Sequence, residues 1–224
     1  MEDIRMCKKL PIPIVETIKK RCSVRTYQDK ELEPNVREML QSYMDNLENP
    51  FGMQVKKYII DKKLASEGEK LGTYGVIKGA STFMGISVPD KDLAHVAAGY
   101  EFENLILEAT ALGLGTVWLA ATFNREGFAS AMGVPKNELF PAISPVGYPA
   151  AKRSLTESLM RTAMRSSSRK EWNTLFYLEN FQTPLHKDES GDYAEPLEML
   201  RLAPSDKNTQ PWRVLKASNR SEER

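Results

Sequence analysis

Two arginines and a serine near the start of the chain have the types and the spacing of a phosphate-binding row. In the segment at 21–25, which we call the arginine row, Arg21, Ser23 and Arg25 alternate with Cys22 and Val24. If this segment is extended, alternate side chains point to the same side, so that two guanidinium groups flank one hydroxyl. Guanidinium groups bind phosphate oxygens and the polar edge of the molecule that carries the phosphate. The row therefore predicts a phosphate site, although two arginines after a helix are more often exposed surface residues.

The composition of the chain argues against several other classes of binding. The 224 residues include 31 basic and 30 acidic side chains, so no long-range field favours nucleic acid or an anionic membrane. The longest apolar runs fall short of the ~20 residues needed to cross a bilayer. Acidic residues at 2 and 3 stand where a signal peptide would be basic. We therefore expect a cytoplasmic protein with no nucleic-acid and no membrane partner.

Cysteine and histidine are too few for a disulfide framework or a conventional zinc site. The chain has two cysteines, Cys7 and Cys22, and two histidines, His95 and His186. Cys22 lies inside the arginine row, but no histidine is close in sequence to act as its base. We interpret Cys22 as a small structural residue and predict no metal site.

Helical and strand patterns alternate along the first two thirds of the chain. Apolar residues at three- and four-residue steps predict amphipathic helices, and short β-branched or apolar runs between glycines and prolines predict strands. The predicted helices lie at 14–21, 34–47, 95–112 and about 125–132, and the predicted strands at 55–61, 82–88, 116–120 and 142–146. This alternation predicts an α+β or α/β fold with a mixed sheet sandwiched by helices.

Two landmarks of the first half recur in the same order after residue 150. Arg165 to Arg169 repeats the Arg-x-Ser-x-Arg spacing, and Glu195-Pro196 repeats Glu33-Pro34 before a similar helical pattern. The order suggests an internal duplication, with chance as the alternative. It divides the chain into a first half at 1–155 and a partial second half at 156–224.

The second half ends in the segment that carries the most information in the sequence. Residues 203–212 read Ala-Pro-Ser-Asp-Lys-Asn-Thr-Gln-Pro-Trp. Pro204 ends the preceding helix, Asn208 can bond both to backbone and to a ligand amide edge, and Pro211-Trp212 fixes a turn into a strand. An ordinary loop seldom combines all of these residues.

Three segments together resemble the flavin-dependent nitroreductases. They are the row at 21–25, Ala-Leu-Gly-Leu-Gly-Thr-Val-Trp at 111–118, and the segment at 203–212. In ordinary members the Pro-Ser-x-x-Asn-x-Gln-Pro-Trp segment follows the arginine row after one helix, whereas here that place holds residues 49–54, which lack the pattern. The order resembles the subfamily whose single chain imitates the dimer, with a second half that is expected to be incomplete here.

The resemblance implies one FMN site and NADH or NADPH as a transient reductant. It implies that Arg21 and Ser23 hold the phosphate, that Arg25 faces the pyrimidine edge and stabilises the anionic reduced flavin, and that the backbone at 119–121 runs beside N5. The whole implied set is Arg21, Cys22, Ser23, Arg25, Leu119, Ala120, Ala121, Arg161, Pro204, Ser205 and Asn208. Lys152 and Arg153 compete with Arg161 for its place at the phosphate.

The implied reaction passes electrons to a nitroaromatic, a quinone or a similar small acceptor, by a monomeric pseudo-dimer or a homodimer. Because the chemistry would lie on flavin N5, the protein need not supply a catalytic acid or nucleophile. The alternative is a flavin-binding module, or a truncated family member, without significant turnover. A nucleic-acid binder using the two arginine rows is least favoured, since no stacking aromatics accompany them.

Overall fold

The computed structural model describes residues 12–64 and 71–217, which form two units at Met1–Ser158 and Leu159–Arg224. In the first unit, α1 spans Ile14–Lys20, α2 spans Pro34–Asn46, α3 spans Ala94–Ala111 and α4 spans Arg125–Ala131. Its strands are β1 at Lys56–Asp61, β2 at Thr82–Pro89, β3 at Gly115–Thr116 and β4 at Glu138–Gly147. The α+β prediction is confirmed.

The sheet of the first unit has the order β1-β2-β4-β3, with antiparallel pairing between neighbours. Parallel pairing enters through bridges from residues 23 and 26 to residues 116 and 78, so that the sheet is mixed at the edge where the arginine row lies. Every residue of β2 before Pro89 is buried. A central strand that is covered on both faces of the sheet has this pattern.

Helix α3 is the helix around which the first unit packs. It contacts β2 and β3, and α1 and α2 pack against it. Phe102, Leu105 and Ile106 on α3 are fully buried beside Met84 and Ile86 of β2. Burial of such side chains contributes about 1.5–3 kcal/mol each, so this interface contributes substantially to the stability of the first unit.

Two predicted strands have different bounds in the structure. Of the strand predicted at 116–120, only Gly115–Thr116 forms a regular strand, which pairs with β4. Pairing with β4 then recurs at one isolated bridge, between Leu119 and Ile143. The predicted strand at 142–146 begins earlier, at Glu138, and passes through two prolines. Pro141 and Pro145 flank Ile143, whose N–H faces Leu119. Their missing N–H groups therefore face β3, and this explains why β3 is short.

The second unit contains most of α5 (Leu155–Ala163), the helix α6 (Ala194–Leu202) and a parallel pair formed by β5 (Phe176–Leu178) and β6 (Val214–Lys216). Short 3-10 turns lie at Trp172–Thr174, Asp188–Tyr193 and Asp206–Asn208. A small core packs β5 against α6, with Val214 of β6 beside it, and its buried residues are Leu175, Phe176, Leu185 and Leu197. Within the described ranges, no helix has both the length and the apolar character needed to cross a membrane.

Candidate functional site

The arginine row is extended, which is the conformation that the sequence interpretation required. Ser23 forms a parallel bridge with Thr116, and the Val24 N–H donates to the Thr116 carbonyl at 2.9 Å. Further along, the Tyr27 N–H donates to the Lys78 carbonyl at 2.9 Å. Since alternate residues of an extended segment share a face, Arg21, Ser23 and Arg25 form one row on the sheet edge.

Two glycines allow the row to approach the sheet closely. A Cβ on Gly115 would lie 2.8 Å from the Val24 side chain. Gly79 has a φ of +77°, and a Cβ there would lie 2.3 Å from the Tyr27 carbonyl oxygen. Because any side chain at these two positions would collide with the segment, glycine is what fixes its distance from the sheet.

The Arg21 side chain lies beside a carboxyl group of α3. The Arg21 side chain is 7% exposed, and its Nε lies 3.8 Å from Glu103 Oε1. The other Glu103 oxygen accepts a hydrogen bond from Trp118 Nε1 at 2.7 Å. Burial raises the pKa of Glu103, although the Arg21 charge and the Trp118 hydrogen bond oppose the shift. At 3.8 Å the pair is not a hydrogen bond, so this contact leaves the Arg21 N–H groups able to donate to a bound anion.

The 119–121 segment is fixed by backbone and side-chain bonds. Leu119 exchanges two backbone hydrogen bonds with Ile143 and is buried, whereas Ala120 and Ala121 are exposed. Arg125 donates to the carbonyl oxygens of Ala120 and Phe140. An open groove of about 910 Å³ borders Ala120, with Arg125 and Phe140 among its lining residues. The segment therefore presents a fixed, accessible backbone.

The predicted residues of the second unit gather around its own arginine row. Asn208 Nδ2 donates to the carbonyl oxygens of Arg165 at 2.8 Å and Ser168 at 3.1 Å. The Ser205 hydroxyl accepts from the Gln210 N–H at 2.9 Å, and Pro204 follows the end of α6. The Arg161 carbonyl accepts from the Ser166 N–H at 3.0 Å. These hydrogen bonds build a tight loop whose backbone, at residues 207, 208 and 210, has positive φ.

Sequence reasoning missed three charged residues that support the first-unit segments. Glu103 lies in a helix whose apolar stripe suggested no ionic role, and Arg125 lies in a short surface helix. Glu157 follows Ser154 with the Ser-x-x-Glu spacing of a capping box, which is the signal that could have identified it. In the structure its side chain instead contacts Arg25 and Thr26.

Comparisons with solved structures show which proteins share the fold of this chain. A nitroreductase of Thermotoga maritima is 21% identical, with a TM-score of 0.58 over 97% of this chain and 77% of that chain. A nitroreductase family protein of Clostridium difficile is 22% identical, with a TM-score of 0.51 over 66% of this chain and 91% of that chain. A nitroreductase of Desulfitobacterium hafniense, solved with bound FMN, is 16% identical, with a TM-score of 0.52 over 62% of this chain and 90% of that chain.

These structural likenesses concern the fold, since all three identities are low. No curated protein matches the sequence. The family model described as "Putative TM nitroreductase" matches residues 13–222, which is nearly the whole chain. The chain therefore belongs to this nitroreductase family, and with it to the oxidoreductases.

Proposed function

We propose that the protein is an FMN-dependent oxidoreductase that takes electrons from NADH or NADPH and passes them to a nitroaromatic, a quinone or a similar acceptor. The observation that carries the proposal is the extended row of Arg21, Ser23 and Arg25 on the sheet edge next to β3. Family membership and the bound FMN of the Desulfitobacterium hafniense nitroreductase support the choice of cofactor.

The donor set of the first unit fits a flavin phosphate. Arg21 brings a largely buried cation, and Ser23 lies two residues along the same face. Across the bridge from Ser23, the Thr116 hydroxyl is buried and has no hydrogen-bond partner among the described residues. A buried hydroxyl without a partner costs about 1–3 kcal/mol, and a bound polar ligand would offset that cost.

Each segment has a distinct role in this proposal. Arg21 and Ser23 bind the phosphate, Arg25 faces the polar edge of the ring, and the fixed backbone at 119–121 lies along the ring. The groove beside Ala120 gives a second molecule access to that segment. FMN, when bound, supplies the hydride-accepting atom, so the protein binds and orients without a catalytic acid.

The proposal also includes the loop of the second unit. On the strength of the family resemblance, we assign Arg161, Pro204, Ser205 and Asn208 to FMN binding as well. The cytoplasmic location and the monomeric or homodimeric state belong to the same proposal. They rest on the family resemblance.

A comparison of FMN with riboflavin tests the phosphate assignment. Binding is measured by quenching of flavin fluorescence. Because riboflavin lacks the phosphate, Arg21→Gln should weaken FMN binding by about a hundredfold, a loss of about 2.7 kcal/mol, and leave riboflavin binding unchanged. Lys20→Gln removes a neighbouring exposed cation and serves as the matched control.

Anaerobic mixing of the flavin-loaded protein with NADH or NADPH tests the reaction. Bleaching of the flavin absorbance, followed by recovery when a quinone is added, is the expected result. Failure of the wild-type protein to bind FMN would overturn the proposed function. Bound FMN that neither nicotinamide reduces would favour the flavin-binding module instead.

A further inference from the structure

A buried carboxylate at the start of α5 holds the backbone of the arginine row. Glu157 is 2% exposed. Its Oε2 atom accepts two hydrogen bonds, from the Thr26 hydroxyl at 2.8 Å and from the Arg25 backbone N–H at 3.3 Å. One oxygen atom thus fixes the peptide that leads into Arg25.

The neighbours of Glu157 leave this oxygen little freedom. The Ser154 N–H donates to the Thr26 hydroxyl at 3.0 Å, and the Glu157 N–H donates to the Ser154 hydroxyl at 3.1 Å. The other carboxylate oxygen lies 3.7 Å from Nε of Arg153, whose side chain is 59% exposed. At 3.7 Å this contact is too long for a hydrogen bond, and the Arg153 side chain lies largely in solvent, so we attribute the geometry to the hydrogen bonds rather than to Arg153.

We propose that Glu157 is a positioning residue for flavin binding. Its Oε2 sets the peptide plane of Arg25 and, through it, the direction in which the Arg25 side chain leaves the extended segment. This inference rests on the proposed FMN function, in which Arg25 faces the polar edge of the flavin ring. Glu157 itself need not touch the flavin.

Two substitutions separate the acceptor oxygen from the negative charge. Glu157→Gln removes the charge but keeps an amide oxygen that can accept from Thr26 and Arg25. Glu157→Ala removes both the charge and the acceptor. The difference between these two variants therefore reports the loss of the acceptor together with the loss of buried side-chain volume, and a control is needed for the second effect.

The expected result is a loss that is specific to the alanine variant. Glu157→Ala should bind FMN about tenfold more weakly than Glu157→Gln, a difference of about 1.4 kcal/mol. It should weaken riboflavin binding by the same factor, because Arg25 faces the ring and not the phosphate. The reduction potential of the bound flavin should be more negative in Glu157→Ala than in Glu157→Gln, since a displaced Arg25 stabilises the reduced form less well.

Glu101 provides a control for a purely structural effect. It is also 2% exposed, and it pairs with Lys57 at 2.7 Å and accepts from Asn49 Nδ2 at 2.6 Å. Glu101→Ala should lower the thermal midpoint of unfolding without changing the flavin potential. If Glu157→Ala does not fold, Thr26→Val removes one donor to Oε2 and should shift the potential in the same direction by a smaller amount.

The inference and the proposed function fail in different ways. Wild-type protein that does not bind FMN would overturn the function. Wild-type protein that binds FMN, with equal affinities and potentials in Glu157→Ala and Glu157→Gln, would overturn the positioning role. A change of potential in Glu101→Ala as large as that in Glu157→Ala would also overturn it, because the effect would then not be specific to Arg25.

Discussion

The two Arg-x-Ser-x-Arg segments have the same spacing but different structures. The segment at 21–25 is extended and paired with Thr116 of the sheet. The segment at 165–169 turns on itself, with Arg165 at a φ of +46° and the Ser168 N–H bonded to the Arg165 carbonyl at 2.8 Å. Only the first segment therefore places its alternate side chains on one face.

The arginines of the two segments also contact different groups. Arg169 donates to the carbonyl oxygens of Ser166 at 3.1 Å, Ser168 at 2.8 Å and Leu202 at 3.2 Å. Leu202 ends α6, so Arg169 satisfies a carbonyl at a helix C-terminus. Arg21 faces a carboxyl group at 3.8 Å and no backbone carbonyl among the described residues. Equal spacing thus occurs with two backbone conformations, and the backbone conformation decides whether the alternate side chains share a face.

The largest expected effect comes from the glycine that holds the first segment against the sheet. Gly79→Ala should cost about 3–5 kcal/mol in the free energy of unfolding, because positive φ is combined with a Cβ placed 2.3 Å from the Tyr27 oxygen. Gly52 has a φ of +62° but open space around it, so Gly52→Ala should cost only about 1–2 kcal/mol. Urea denaturation measures both. Equal losses would mean that residues 78 and 79 do not fix the segment.

A smaller loss is expected from the structural arginine of the second segment. Arg169→Ala should cost about 2–3 kcal/mol, because it leaves partly buried carbonyl oxygens without a donor. Arg169→Lys should restore little, since one ammonium group cannot replace the guanidinium fork. The measurement uses a Trp118→Phe background. The two remaining tryptophans, Trp172 and Trp212, lie in the second unit, so their fluorescence reports its unfolding. If Arg169→Ala weakened FMN binding but left riboflavin binding unchanged, Arg169 would act on the phosphate. That result would contradict the distinction between the segments at 21–25 and 165–169.

The sequence predicted most helices and strands but not the side chains that hold the candidate site residues in place. The helix at Ala94–Ala111 and the strand at Thr82–Pro89 follow from periodicity and from a short apolar run. The extended conformation of residues 21–25 depended on whether a sheet edge was available, and the identical spacing at 165–169 shows that local sequence does not decide it. The contacts of Glu103 and Glu157 join residues 82 and 132 positions apart, which only the folded chain brings together.

The carboxyl group next to Arg21 should give the first segment a pH dependence. Burial raises the pKa of Glu103 despite the opposing effects of Arg21 and Trp118. A raised pKa in the folded state contributes stability below the unfolded-state pKa, and this contribution is lost as pH rises through the folded-state pKa. The wild-type protein should therefore gain stability relative to Glu103→Gln as pH falls from neutral into the acidic range.

Urea unfolding of both proteins over a pH series measures this difference. Trp118→Phe, which removes a hydrogen bond that lowers the Glu103 pKa, should make the dependence steeper. A difference that instead grows in favour of the wild type as pH rises would mean that the Arg21 ion pair outweighs burial.

The smallest effect is expected at the first arginine of the second segment. Arg165 is exposed, and its side chain has no partner within residues 12–64 and 71–217. Arg165→Gln should therefore change the free energy of unfolding by less than about 0.5 kcal/mol and leave both flavin affinities unchanged. Arg21→Gln, the same change at the equivalent position of the first segment, should lower FMN affinity by about a hundredfold. If Arg165→Gln lowered FMN affinity but not riboflavin affinity, the second row would also be a phosphate ligand, and backbone conformation would no longer separate the two segments.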